Sequence, residues 1–377
     1  MEKILNFCEI SGSSVKIYEG KRKYIATGDI LNNKIISFEE VDYKHKPSRA
    51  NQNVEIGDVI FAKMQNTKKV IIITKENVNN IYSTGFYVIK PKKNVTSEFL
   101  FWLFNSKKFN DDKDKNCKGA TQKAINNEGL NKIAIDTLPT IQEQLKIVSK
   151  LDKVQEIIDI REKQIEELDE LIKSQFVEMF GNPVLNEKQW RKVPLGTECN
   201  IITGNTPSRN KQEYYGSFIE WIKSDNINTP SNYITQAEEY LSKEGENVGR
   251  TINEDNILMT CIAGSISCIG NIAMTDRKVA FNQQINGIET LKNNTIFMYV
   301  QFLLSKQYIQ STINMSLKGI LSKGKLSELE FIFPPIKLQE EFAQKFQQID
   351  KQKFKLQKSL EEIQKLQESL VNKYFGG

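Results

Sequence analysis

In this chain of 377 residues, the side chains whose types and spacing could do chemistry are lysines interleaved with amides and hydroxyls in glycine-containing loops. The chemistry they suit is recognition of a polyanion. Lys63, Gln65, Asn66, Lys68 and Lys69 lie in one seven-residue stretch after an apolar run, where ammonium groups can hold phosphates and amides can meet base edges. Lys118, Gln122 and Lys123 surround Gly119, and Lys318, Ser322, Lys323 and Lys325 surround Gly319 at an offset of 200. Glycine there lets the backbone approach a phosphate closely. Thr206, Ser208, Arg209 and Lys211 form a further turn, and Lys223 follows the Trp221-Ile222 pair. A single arginine such as Arg209 can bond guanine through both edge acceptors, discriminating by about 1–3 kcal/mol. Taken singly, each of these residues reads as a solvated surface charge. As clusters at matching places in two halves they point to nucleic-acid contact.

Motifs for catalysis are missing from the sequence. No Asn-Pro-Pro-aromatic or Asp-Pro-Pro-Tyr segment of amino-methyltransferases occurs, and Asn182-Pro183-Val184-Leu185 reads as a helix stop. No phosphate loop of the Gly-x-x-x-x-Gly-Lys-Ser/Thr type is present. The one histidine, His45, sits in Tyr43-Lys-His-Lys-Pro47 away from any cysteine and reads as a loop residue. The five cysteines form no Cys-x-x-Cys pair, which argues against a zinc site or a disulfide framework. With no apolar leader and no run long enough to span a bilayer, the expectation is a cytoplasmic protein.

The elements that must position these loops are written twice. Lys163-Gln-Ile-Glu-Glu-Leu through Phe180-Gly181 returns as Lys358-Ser-Leu-Glu-Glu-Ile through Phe375-Gly376, about 195 residues later. A duplication of that period describes two similar halves. Apolar residues recur three, four or seven apart through Leu151, Ile158, Ile165, Leu168 and Ile172, and again through Phe346, Ile349, Leu356, Leu360, Ile363 and Leu370. That spacing is a coiled-coil seam. Leu138-Pro139-Thr140 and Phe333-Pro334-Pro335 open the two helices, while Gly181 and Gly376 close them. The first, from about 141 to 180, is roughly 60 Å long at 1.5 Å per residue. Two such helices with a globular block between them predict an intramolecular antiparallel pair.

The division is therefore 1–138 and 182–335 as two mixed α/β blocks, with helices over 139–181 and 336–377. The fold class is α+β with a pseudo-twofold. Within the blocks, Tyr24-Ile25 resembles Trp221-Ile222, and Val59-Ile-Phe61 resembles Ile257-Leu-Met259, each strand flanked by turns rich in Gly, Asn and Asp. Counted over these four segments in chain order, net charge is +7, −4, 0 and +2. The first block can attract a polyanion by its general field, and the second only through a local cluster.

The ordered set Trp190-x-x-Val193-Pro-Leu-Gly196, Thr203-Gly-Asn-Thr-Pro207, Trp221-Ile222, Asn282-Gln283, Lys318-Gly319, Leu326 to Pro334 and Gln339-Glu340 resembles the specificity subunit of type I restriction-modification enzymes over the whole chain. The first block lacks the tryptophan lead-in and the Thr-Gly-x-Thr-Pro turn. The resemblance implies two target-recognition domains alternating with two helical regions, and a non-catalytic, sequence-specific double-stranded DNA reader with a bipartite target and an unread spacer. It also implies two methyltransferase subunits and restriction/translocase subunits as partners, which would carry S-adenosylmethionine, Mg²⁺ and ATP. The sequence also allows a recognition piece of a fused methyltransferase-nuclease, or a coiled-coil scaffold that binds no DNA.

Overall fold

A computed structural model describes residues 1–313 and 319–376 of the chain. By contact it divides into two compact units, Met1–Glu162 with the segment from Lys358 onward, and Lys163–Gln357. Each unit contains one half of each long helix, because Ile141–Phe180 and Ile336–Phe375 run for 40 residues apiece.

The first unit holds two four-stranded sheets. One has the order Cys8–Ser11, Phe86–Pro91, Val59–Ala62, Val70–Ile72, and the other Glu39–Val41, Arg22–Ile25, Ile81–Ser83, Ala50–Gln52. The second unit repeats both. Asn200–Thr203, Ile285–Glu289, Ile257–Thr260 and Ile272–Met274 form one sheet, and Tyr240–Leu241, Tyr215–Ile222, Val279–Phe281 and Thr251–Ile252 the other. Even the unusual pairing is duplicated. Tyr24-Ile25 runs parallel to Ile81-Tyr82, and Trp221-Ile222 runs parallel to Ala280-Phe281. The aromatic-led strands matched in the sequence thus occupy the same place in both units.

Burial explains why these strands form. Val59, Ile60, Phe61 and Ala62 are all buried, as are Ile257 to Thr260, which is the pattern of strands covered on both faces. One face lies under a helix, Ser97–Asn105 in the first unit and Thr295–Leu304 in the second. Each starts at a side-chain cap: Thr96 Oγ1 accepts the Phe99 N–H at 3.1 Å, and Asn294 Oδ1 accepts those of Ile296 and Phe297.

The long helices pack antiparallel inside each unit. In the first, Lys150 Nζ donates to the Tyr374 hydroxyl at 3.4 Å and Gln367 Nε2 to Gln155 Oε1 at 2.9 Å. In the second, Lys353 Nζ lies 2.6 Å from Asp169 Oδ1, and the Phe342 ring packs edge-on against Phe176 and Phe180. Leu151, Ile158, Ile172, Phe346 and Ile349 are buried, whereas Ile165, Leu168, Leu356, Leu360, Ile363 and Leu370 are only half-buried. A two-helix seam leaves one side of each knob to solvent wherever no sheet or helix covers it. Lys353 and Gln367 fall at seam spacing, four residues after Ile349 and Ile363, and both bond across the seam, so these polar interruptions define its register.

The repeated Phe-Gly endings have a packing reason. Phe180 closes on Phe297 with ring centroids 4.9 Å apart, and Phe375 closes on Phe99 at 5.1 Å. Each helix therefore buries its last aromatic in the core of the unit that contains its C-terminal end. Gly181 follows in the left-handed region, at φ 76°. The carbonyl of Phe180 accepts the Trp190 indole N–H at 2.9 Å, while Lys188 Nζ serves those of Glu178 and Met179. The tryptophan lead-in of the second block is thus a helix cap.

A buried glutamine ties each long helix to its block. Gln144 Oε1 accepts the Thr96 N–H at 3.0 Å, and its Nε2 donates to Asn94 O and Pro139 O at 2.9 and 2.8 Å. Gln339 does the same with the Asn294 N–H at 2.9 Å, Asn293 Oδ1 at 3.1 Å and Pro334 O at 2.8 Å. Both are fully enclosed, at 0% and 1% exposure.

Candidate nucleic-acid interface

In the first unit, the loop after Val59–Ala62 meets the hairpin formed by Cys117–Lys118 and Ala124–Ile125. Gln65 N–H donates to Lys123 O at 2.9 Å, Ile125 N–H to Lys63 O at 3.0 Å, and Met64 bridges to Ala124. Two clusters more than fifty residues apart in the chain are thereby joined. Gly119 sits at φ 138°, and a Cβ there would come within 2.5 Å of Gln122 O, so the hairpin turn requires glycine. Gln122 and Lys123 are exposed and their side chains have no partner among the described residues.

Several other candidates in this unit are already engaged. Lys63 Nζ donates to Thr84 O at 2.9 Å above the Tyr87 ring, and burial lowers its pKa. Gln65 Nε2 reaches Asp114 O at 3.3 Å, and Asn66, at φ 56°, gives its N–H to the Asp114 carboxylate. Lys118 pairs with Glu128 at 2.9 Å; Lys132 and Lys118 together bring that carboxyl down to about 2. Lys68 and Lys69 stand elsewhere, on a groove of about 550 Å³ that Gln155, Asp159, Gln367 and Glu368 also line. Lys69 Nζ is held by Thr27 O. Lys113, absent from the sequence candidates, is buried behind the loop, and its ammonium binds Met64 O at 3.3 Å and Thr67 O at 2.5 Å. It sets the loop's shape.

In the second unit the hub is Asn282-Gln283-Gln284. Asn282 N–H donates to Ile222 O at 3.0 Å, Gln284 O accepts from Cys261 and Ile262, and Gly204 N–H reaches Ile285 O. The Thr206 hydroxyl bonds Gln283. Ile262 bridges to Ile320, and Leu321 N–H donates to Cys261 O at 3.0 Å. The Thr203–Lys211 turn, the Lys223 corner, the hub and the segment from Gly319 to Lys325 are therefore neighbours. Ser322 caps the short helix Lys323–Glu328, accepting the Lys325 N–H at 3.2 Å, so its hydroxyl is spoken for. Lys323 is exposed and Lys325 half-buried. Lys318 lies outside the described residues. Ser208 is exposed, and Lys211 Nζ lies 3.2 Å from the Tyr214 hydroxyl.

The match between Lys118-Gly119 and Lys318-Gly319 at an offset of 200 is corrected by the pairing. Ile125 and Leu321 make the equivalent bond, to Lys63 O and Cys261 O respectively, and Asn126 and Ser322 make the equivalent cap, to Gly129 and Lys325. The structural offset is 196. The buried residue and the cap that follows it fix the alignment.

Arg209 and Lys223 share one carboxylate. Arg209 Nη1 is 2.8 Å from Glu239 Oε2, and Lys223 Nζ binds Glu239 Oε1. The Arg209 guanidinium lies 4.5 Å from the Tyr215 ring centroid and 5.0 Å from that of Trp221. Hydrogen bonding from Lys223, with the positive charge of Arg209 beside it, holds the Glu239 carboxyl below its ordinary range.

Sequence reasoning missed Arg49 and Arg250. Arg49 O accepts the Thr84 N–H at 2.9 Å, and Arg250 O accepts the Phe281 N–H at 3.2 Å. Each precedes the antiparallel edge strand of its unit, Ala50–Gln52 or Thr251–Ile252. Both are exposed, with no side-chain partner among the described residues. Their surroundings in the chain differ, so only the duplicated strand pairing exposes the match.

Among the described residues no helix is long and apolar enough to cross a membrane. A family profile described as the type I restriction modification DNA specificity domain matches residues 6–170 and 187–368. The specificity subunit of the type I restriction enzyme HindI from Haemophilus influenzae is 23% identical over 341 residues, covering 70% of this chain and 73% of that protein. The putative MjaX specificity subunit of Methanocaldococcus jannaschii is 23% identical over 348 residues, covering 86% and 78%. Among solved structures, the type I restriction-modification S subunit from M. genitalium aligns over 99% of this chain and 94% of its own, with a TM-score of 0.58 and 14% identity. A chain from a study of complex assembly and conformational transition of the type I R-M system aligns over 98% and 97%, with a TM-score of 0.57 and 19% identity.

Proposed function

Because the chain belongs to the type I restriction-modification DNA specificity family, we propose that it reads a bipartite target, one half with each recognition domain. The observation that supports this most is the duplication of the two-sheet block with its cluster of loops, each cluster carrying a different set of basic and amide side chains. Two frames of one topology with unlike loops suit two unlike half-sites separated by unread base pairs. The first domain presents Gln122, Lys123 and Arg49, and the second presents Arg209, Lys223, Lys323 and Arg250. The paired long helices fix the spacer.

Methyltransferase subunits would dock on the outer faces of the helices. Ile157 and Ile160 in the first unit, and Leu171 and Phe354 in the second, are 42–67% exposed there, and exposed apolar side chains on a helical face suit a protein partner. Restriction/translocase subunits would join that core. Adenine methylation and ATP-dependent cleavage would then be work of the partners, with S-adenosylmethionine, Mg²⁺ and ATP held by them. This chain would be non-catalytic and would act in the cytoplasm, where its target DNA lies.

The test is an exchange. Replacing residues 182–335 by the corresponding domain of another specificity subunit, and mapping adenine methylation in cells that also make the modification subunits, should change one half of the motif and leave the other. A change in both halves, or in neither, contradicts independent readers. Inserting one heptad in both helices should lengthen the spacer, since about 10 Å is added at 1.5 Å per residue.

A further inference from the structure

We propose that Glu239 is a specificity-determining residue of the second recognition domain, a carboxylate that holds Arg209 and Lys223 neutralised until a duplex offers them enough to leave it. The inference rests on the DNA-reading assignment above and goes beyond it in naming what suppresses binding to the wrong sequence.

Three observations carry it. Glu239 is the shared partner of two basic residues of the Arg209–Lys223 corner, with one oxygen for each. The two cations are held on aromatic faces, Arg209 between Tyr215 and Trp221 and Lys223 5.5 Å from the Trp221 centroid, so the trio is a built cluster. The first unit supplies a comparison. Trp221 opposes Glu239 as Tyr24 opposes Glu39, one register step from the pairs Glu220–Tyr240 and Lys23–Glu40. Yet Glu39 is exposed and has no side-chain partner among the described residues. The first block lacks the Thr-Gly-x-Thr-Pro turn that delivers Arg209. One domain therefore has the carboxylate alone, and the other has the carboxylate closed on two cations.

The physical consequence follows from how phosphates bind. Each ammonium or guanidinium placed on a phosphate releases a condensed counterion and steepens the salt dependence by about 0.9 in log K against log salt. A cation already paired within the protein contributes less of this non-specific term. Only where a base edge adds hydrogen bonds does moving Arg209 off Glu239 become favourable, because a bidentate contact to guanine is worth about 1–3 kcal/mol. The carboxylate itself repels phosphate, so random sequence is disfavoured twice.

The experiment measures binding of the full chain to a random-sequence duplex of about 30 base pairs by fluorescence anisotropy over a salt series. Glu239→Gln should bind more tightly than wild type, with a slope steeper by about 1–2. Glu39→Gln removes one charge at the matching register and should leave the slope within about 0.3 of wild type. Adding Arg209→Ala and Lys223→Ala to Glu239→Gln should return the slope to the wild-type value, which separates released cations from a damaged fold. Equal slopes for wild type and Glu239→Gln, or equal steepening in both single variants, overturn the proposal. If the wild-type chain binds no duplex at any salt, the DNA-reading assignment itself fails and this inference with it.

Discussion

Replacing Gln339 by leucine should destabilise the second unit by about 3 kcal/mol or more, and Gln144→Leu should do the same to the first. Each glutamine is itself enclosed and bonds three polar groups, including the backbone N–H of the residue that caps the helix over its sheet. Leucine has the bulk but none of the bonds, and each buried group left unpaired costs about 1–3 kcal/mol. The exposed neighbours Gln142 and Glu340 are the controls, with effects within about 0.5 kcal/mol. Urea denaturation followed by tryptophan fluorescence separates the units, because Trp102 lies in the first and Trp190 and Trp221 in the second. A leucine variant as stable as the controls would remove the clamp from the account.

The second large effect is asymmetric. Lys353 is a seam residue with only 5% of its side chain exposed, while its partner Asp169 is 39% exposed. Asp169→Ala strands an ammonium between the helices and should cost about 2–3 kcal/mol, since breaking a buried pair from one side leaves an uncompensated charge. Lys353→Met removes that charge and fills the seam, so it should be neutral or stabilising. Thermal unfolding of the two variants and of their combination gives the comparison. The combination should resemble Lys353→Met, because the two residues share one interaction.

The long helices are legible in the sequence because an apolar seam of period 3.5 sustained over 40 residues fits a long packed helix and no strand or loop, and because Pro139, Pro334 and the Phe-Gly endings punctuate it. The matched strands are legible where an aromatic leads a β-branched residue, as at Tyr24-Ile25 and Trp221-Ile222. What stays hidden depends on contacts between distant segments. Nothing local marks Lys113 as the buried support of the Met64–Thr67 loop, or Arg49 and Arg250 as counterparts, since exposed arginines in unlike surroundings carry no periodic signal. Lys118-Gly119 and Lys318-Gly319 mislead for the converse reason. Their spacing repeats by composition, while register is set by Ile125, Leu321 and the caps Asn126 and Ser322. Lys68 and Lys69 look continuous with Lys63 in the sequence, but the turn at Asn66 separates them from it.

The most direct test of two readers in one chain is single-molecule mapping of adenine methylation in cells expressing this subunit with its modification partners and no other methyltransferase. The account predicts one bipartite motif, with two different specified ends and a fixed run of unspecified bases between them. A contiguous motif, or a motif with identical halves that survives replacement of either domain, would contradict it.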